Sequence, residues 1–310
     1  MILLWGLLQD GPLSAVYDAL RRNGSPVIVL DQMKILETRV ELSVDSDIRG
    51  VLQTGDQAID LDAIKAVYLR TYDWRQLPEI KKAGCGSQAW DHAFLLEEIL
   101  ASWLEITPAL VVNRLSAMSA NNSKPYQGSQ IKEFGFGIPD TLITTNPVAV
   151  LEFLERHSEV IYKSISGVRS IVSRLEKEQL GRLDDILWCP TQFQQYIPGT
   201  DYRVHVVGDE IFACEIISEA DDYRYAARKG AGISVRACEI PRHCEERCRA
   251  FAKAAGLIFA GVDLRLTPDG EWYCFEVNPS PGFTYYQDMA NQPIDDAIAR
   301  LLVKGSGDHN

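Results

Sequence analysis

Residues 274–283 read CFEVNPSPGF, a run with strand character that stops in a proline-bounded turn. Side chains alternate along a strand, so the carboxylate of Glu276 and the amide of Asn278 share a face. Just upstream, AGVDLRL (260–266) is a second strand-like run, and the intervening PDG (268–270) is turn chemistry for an antiparallel hairpin. Asp263 and Arg265 share a face of that strand. If the two faces coincide, two carboxylates and an amide oxygen converge. Such a hard-oxygen set suits Mg²⁺, which takes few protein ligands alongside substrate phosphates. On spacing alone, a solvated hairpin face with ordinary surface acids fits the same residues.

Outward from this hairpin the chain divides into three regions. Residues 1–113 alternate strands and helices: ILLWGLL, a helix closed by Gly24, PVIVLD, AVYLR (66–70), a helix over 88–106 with Ala89, Ala93, Leu96, Leu100 and Trp103 on one face, and ALVVN (109–113). That pattern predicts a parallel sheet. Residues 114–190 hold a helix ended by glycines, a turn at Pro139, a strand, and two strands joined by the small-residue loop SISG (164–167). Residues 191–310 carry β-rich stretches separated by PGTD and VGDE turns, a helix from about 242 to 255, the hairpin, a last helix, and GSGDHN as an expected frayed tail. The fold class is α/β, built as α+β lobes behind a parallel-sheet domain.

With 43 acidic against 31 basic residues the net charge is −12, which argues against nucleic acid as a partner. MILLWGLL is too short to span a membrane and lacks a basic leader, so it is expected as a buried strand of a cytoplasmic protein without a membrane partner. Seven scattered cysteines suit reduced thiols. CEIPRHCEERC (238–248) offers zinc-type ligands, but Cys244 and Cys248 at i and i+4 on a helix are expected to serve as small apolar residues. GCGSQA (84–89) fits a loose dinucleotide-loop pattern, yet no strand precedes it, and it is set aside.

GVDLR followed by FEVNPSPG, with Glu276 thirteen residues after Asp263, resembles the metal-binding end of the ATP-grasp superfamily. NNSKPYQ with FGFGIPDTLIT, VIYKSISG, and QFQQYIPGTDYRVHVVGDEIFA resemble, in order, the helix and strand, the phosphate loop and the interlobe hinge of its RimK-like branch. FEVNPSPGFTYYQ followed by PIDDAIARLL is similar to the peptide-modifying ligases of the microviridin type. The resemblance spans roughly 113–303 and implies an ATP-grasp fold with an N-terminal pre-ATP-grasp domain. It further implies ATP held by Lys124, Lys163, Ser166 and Gly167 at the phosphates, by Gln194, Gln195 and Ile197 at adenine, and by Asp201 at the ribose. Asp263, Glu276 and Asn278 would hold Mg²⁺, as two ions or with Mn²⁺ in its place. Arg203, Arg224, Arg228 and Arg265 would meet the γ-phosphate or the substrate carboxylate, although DDYRYAARKGAG (221–232) departs from the RimK-like pattern around Arg228 and Lys229.

The implied activity is an ADP-forming ligase that joins a carboxylate to an amine, or to a hydroxyl as an ester, through an acyl phosphate. Its substrate would be a small molecule, a peptide or a protein tail, and a homodimer is an open assembly. A kinase on the same fold and a non-catalytic nucleotide-binding module are the rival readings.

Overall fold

The computed structural model describes residues 1–45, 47–119, 123–165, 172–218 and 232–307. Strand β1 (Ile2–Gly6) is buried along its whole length, as a strand covered on both faces must be. Asp10 then caps α1 (Gly11–Arg22) by accepting from Leu13 N, and Pro12 occupies the first turn, where its missing N–H is no loss. β2 (Val27–Asp31) pairs parallel with β1. An antiparallel meander follows, β3 (Thr38–Val44), β4 (Ile48–Thr54) and β5 (Gln57–Asp60), for which the sequence reading held no expectation. β6 (Ala66–Arg70) returns to the parallel sheet on the other side of β1.

Helices α2 (Pro78–Ala83) and α3 (Gln88–Ile106) are joined through Gly84 (φ 82°) and Gly86 (φ 79°), with Ser87 capping α3, so GCGSQA is a helix-to-helix turn. Helix α3 buries Ala93, Leu96, Leu100 and Trp103 as its periodicity demands. β7 (Leu110–Val112) completes the sheet in the order β2-β1-β6-β7.

After α4 (Leu115–Met118) and α5 (Lys124–Glu133) come β8 (Thr141–Thr144), α6 (Pro147–His157), β9 (Val160–Ser164), β10 (Ser173–Arg174), α7 (Lys177–Leu180) and β11 (Thr191–Gln195). Their strands form an antiparallel sheet, β10-β9-β11-β8, over a small core that includes Val150, Phe153 and Phe193. β12 (Thr200–Val207), β13 (Glu210–Ser218), β14 (Ile233–Cys238), β15 (Phe259–Leu266) and β16 (Trp272–Asn278) build the last sheet, in the order β14-β13-β12-β15-β16. Helix α8 (Arg242–Ala254) buries Cys244 and Cys248 in its core, so these thiols act as apolar side chains. Among the described residues no helix is long and apolar enough to cross a membrane.

α9 (Thr284–Ala290) and α10 (Ile294–Gly307) close the chain. GSGDHN does not begin as a frayed tail, because α10 continues through Gly307. Gly305 lies against β7: a Cβ there would sit 2.4 Å from Leu110 Cδ2. The glycine marks a close approach of helix to strand. Helix α10 also packs on α1 in one apolar cluster that joins Leu13 and Val16 to Ile298 and Leu302, so the first and last parts of the chain share a core.

Asn113, just past β7, is 2% exposed and ties these parts together. Its Nδ2 donates to Phe259 O and Pro279 O, each at 2.6 Å, and its Oδ1 accepts from Ile258 N and Phe259 N. Asn113→Ala strands those backbone groups in a dry interior. Urea unfolding should show a loss of roughly 3 kcal/mol or more; an unchanged midpoint would refute this account of the joint.

Candidate active site

The hairpin forms as its turn chemistry requires, with β15 antiparallel to β16 and Gly270 (φ 91°) turning the chain between them. Register sets the site. Asp263 lies opposite Glu276, and Gly261 opposite Asn278, so the two faces coincide and the three oxygen-bearing side chains share one surface. The ladder shifts between Asp263 and Leu264, a bulge beside the acids. On the other side of β15, strand β12 places Arg203 opposite Asp263 and Asp201 opposite Arg265. The row Glu276, Asp263, Arg203 therefore crosses three neighbouring strands, with Arg265 and Asp201 in the row beside it.

Each arginine is paired with an acid. Arg203 Nη1 donates to Asp263 Oδ1 at 2.5 Å, with the arginine side chain only 6% exposed. Its guanidinium lies 5.4 Å from the Tyr286 ring centroid. A Cβ on Gly261 would sit 2.1 Å from Arg203 Nη2, so this position is glycine for room and not for backbone conformation. Arg203 Nε approaches His205 Nε2 at 3.4 Å. His205 is fully buried, and burial, followed by the Arg203 charge, holds its pKa well below the ordinary value, so it is neutral. Arg265 forks both oxygens of Asp201 at 2.8 and 2.9 Å and donates to Ile197 O at 2.8 Å, tying β15 to the hinge.

At that hinge Ile197 is buried, while Gln195 N donates to Asp140 O and Tyr196 N to Glu159 O. Gly199 (φ 150°) lets the chain pass β15 so closely that a Cβ would meet Leu266 O at 2.2 Å. In the central sheet Lys163 pairs across strands with Gln192, and Gln194 follows on the same face. Gln192 and Gln194 are 2% and 7% exposed, and the Oε1 of each is buried without a hydrogen-bond partner among the described residues. Two dry acceptors lacking donors, beside a lysine, are what a nucleotide with an exocyclic amine would satisfy. Lys124 opens α5. Ser166, Gly167, Arg224, Arg228 and Lys229 lie outside the described residues.

The donor set fits a divalent cation. Like charges directly opposite on adjacent strands repel, so the Asp263 and Glu276 carboxylates call for positive charge, of which Arg203 supplies one side. Among the described residues no three His, Cys, Asp or Glu side chains form a metal-holding group by themselves. Two acids and an amide match an ion shared with substrate phosphates.

The residues that position this site were not legible as such. Gln127, 4% exposed on α5, bonds both ways with the backbone of Val277 and so covers the outer edge of β16 between Glu276 and Asn278. Gly137 continues that cover, accepting from Cys274 N and donating to Trp272 O. Arg70 and Asn113 reach the turn after Asn278 from the parallel sheet. Arg70 and Asn113 carried one signal, a polar residue at the end of an apolar strand, whereas Gln127 in the polar run KPYQGSQIKE and Gly137 carried none.

Residues 129–302 match the RimK-like ATP-grasp domain family. Over 192 residues the chain is 25% identical to glutathione synthetase of Thermosynechococcus vestitus, covering 56% of this chain and 57% of that one. It is 26% identical to human N-acetylaspartylglutamate synthase A over 148 residues, or 45% of this chain and 37% of the relative. The chain thus spans less than two thirds of the length of these relatives. Among solved structures, the Microcystis aeruginosa macrocyclase MdnC, bound with its precursor peptide MdnA, superposes with TM-score 0.81 at 24% identity, covering 98% of this chain and 99% of that one. The ligase PsnB, complexed with a minimal precursor, Mg and ADP, superposes with TM-score 0.80 at 27% identity, covering 98% and 97%.

The neutral His205 has a measurable consequence. A base kept uncharged in the fold takes up its proton on unfolding, so stability falls as pH drops below the ordinary value of 6.5. His205→Gln should remove up to about 1.4 kcal/mol per pH unit of that acid slope, read by urea unfolding between about pH 7 and 5. An identical slope in the variant would show that His205 titrates normally.

Proposed function

The chain belongs to the RimK-like ATP-grasp domain family, and we propose on that premise that it is an ADP-forming ligase that joins a peptide carboxylate to an amine or hydroxyl through an acyl phosphate. The observation that carries this reading is the row of Glu276, Asp263 and Arg203 across three strands, with Asn278 beside it on one face. A substrate carboxylate oxygen attacks the γ-phosphorus and ADP leaves. The acceptor nitrogen or oxygen then attacks the acyl carbon, phosphate departs, and the acceptor's proton passes to solvent.

Each side chain has a part in that sequence. Arg203, buried beside the acids, faces the charge that grows on the transferred group, and Arg224 and Arg228 are assigned to the same task or to the substrate carboxylate. Lys124 and Lys163 are assigned to neutralising phosphate, and Ser166 and Gly167 to the phosphate loop. Gln194 Oε1 is an acceptor for the adenine amine. The Gln195 amide is already engaged by Asp140 O, so Ile197 and the remaining carbonyls of this stretch read the adenine edge. Asp201, held in place by the fork of Arg265, is assigned to the ribose hydroxyls. Asp263, Glu276 and Asn278 would hold Mg²⁺, as two ions or with Mn²⁺ in its place. Bound there, the metal would neutralise charge on the phosphates during transfer.

The likeness to ligases solved with precursor peptides along nearly their whole length supports a peptide substrate. The division into lobes at 1–113, 114–190 and 191–310 is part of the same proposal. The cysteines, all free thiols, support a reducing, cytoplasmic setting.

The test is phosphate release from Mg²⁺-ATP by the full chain against a panel of acidic peptides, amino acids and protein tails. Release should require both a carboxylate and an acceptor, and an Asp263→Asn, Glu276→Gln double variant should lose at least about a hundredfold in rate. ADP formation that leaves phosphate on the acceptor would replace the ligase with a kinase, and absence of ATP binding would end the site assignment.

A further inference from the structure

Three consecutive backbone carbonyls follow Asn278, those of Pro279, Ser280 and Pro281, and each accepts from a side chain of the first 113 residues. Asn113 takes the first. The second and third are taken by Arg70 Nη1, at 3.2 and 3.0 Å, and the same nitrogen reaches Ser280 Oγ at 3.2 Å. The remaining edge of this guanidinium is fixed by Asp10, which accepts from Nε at 2.5 Å and from Nη2 at 3.2 Å while also capping α1. Arg70 is 13% exposed in its side chain, at the carboxyl end of β6, an inner strand of the parallel sheet. It is a rigid part.

Asn278 is the last residue of β16, so the ladder fixes its backbone and leaves its amide to the turn beyond. That turn aims the amide by one contact, Ser280 N donating to Asn278 Oδ1 at 2.9 Å. Ser280 is exposed, with no core of its own to hold it, and Arg70 grips both its carbonyl and its hydroxyl. One lone pair of Oδ1 is spent on Ser280, and the direction of the second follows from where Ser280 is held. Asp263 and Glu276 are set independently, by their own register and by Gln127 on Val277.

We propose that Arg70 is a positioning residue for the metal ligand Asn278, acting through Ser280, so that the first sheet sets the geometry of an ion site on the last one. The proposal rests on the ligase reading and deepens it: it assigns the parallel-sheet region a part in metal binding. A planar fork that touches several acceptors cannot be replaced by a point cation, so the role is specific to arginine.

The test is a double-mutant cycle on Mn²⁺ binding, read by electron paramagnetic resonance on the full chain with saturating non-hydrolysable ATP. The proteins are wild type, Arg70→Met, Asn278→Ala and the double variant. Arg70→Met should raise the Mn²⁺ midpoint about tenfold, and in the Asn278→Ala background it should add less than about twofold, because the route through Asn278 is gone. A full tenfold effect in both backgrounds would overturn the proposal by showing that Arg70 acts elsewhere, as would an unchanged midpoint in Arg70→Met. Absence of nucleotide-dependent Mn²⁺ binding in the wild type would instead overturn the ligase reading, and this inference with it. Should Arg70→Met melt below the wild type, Arg70→Lys, which keeps a cation beside Asp10 but not the fork, carries the same cycle with the same expected loss of additivity.

Discussion

Two carboxylates face each other across β15 and β16, and this is the constraint around which the site is arranged. Left alone the pair would push the strands apart. Arg203 answers from the third strand, but a guanidinium this deeply buried is itself costly unless its donors are met. The surroundings show how they are met. Asp263 takes one nitrogen, the neutral His205 stands as an acceptor at Nε, the Tyr286 ring covers the cation, and Gly261 yields the volume a side chain would fill. A charged His205 would place a second cation against Arg203, so the histidine's depressed basicity belongs to the same arrangement.

The strand that carries Glu276 and Asn278 lies at the edge of its sheet and ends in a turn, two circumstances that favour mobility. Both are countered from outside the sheet. Gln127 of α5 and the backbone of Gly137 cover the edge, and Asn113 with Arg70 hold the turn. Gln127 lies 150 residues from Val277, Asn113 166 from Pro279 and Arg70 210 from Ser280. Rigidity at the site is thus a product of long-range contacts.

That distance explains what the sequence disclosed. The hairpin, its turn and the face shared by Asp263, Glu276 and Asn278 follow from alternation and a PDG turn, which are local, and the helix at 88–106 from local periodicity. The meander over 38–60 also alternates, with Val40, Leu42, Leu52 and Ile59 inward, but its charged and polar outer face resembles a loop. GSG at 305–307 reads as the start of a frayed tail because chain ends are usually poorly held, whereas Leu110, far away in sequence, requires Gly305. Arg70, Asn113 and His205 give only the signal of a polar residue in apolar company, Gln127 in the polar run KPYQGSQIKE gives none, and what each bonds is fixed by tertiary placement alone.

The pairing of every described arginine in the site with an acid bears on how charge would be used. Arg203 with Asp263, and Arg265 with Asp201, are balanced within the chain. At these two arginines a bound nucleotide with its cation would therefore exchange partners with groups already neutralised. Such an exchange demands little reorganisation, because the guanidinium planes are fixed beforehand by sheet register and buried neighbours. It also keeps ground-state binding modest, since each new contact displaces an old one, and reserves the net gain for the moment when the transferred phosphoryl group spreads its charge toward Arg203. The interleaving of acid and arginine across neighbouring strands thus suits the stabilisation of a developing charge better than the tight retention of a resting one.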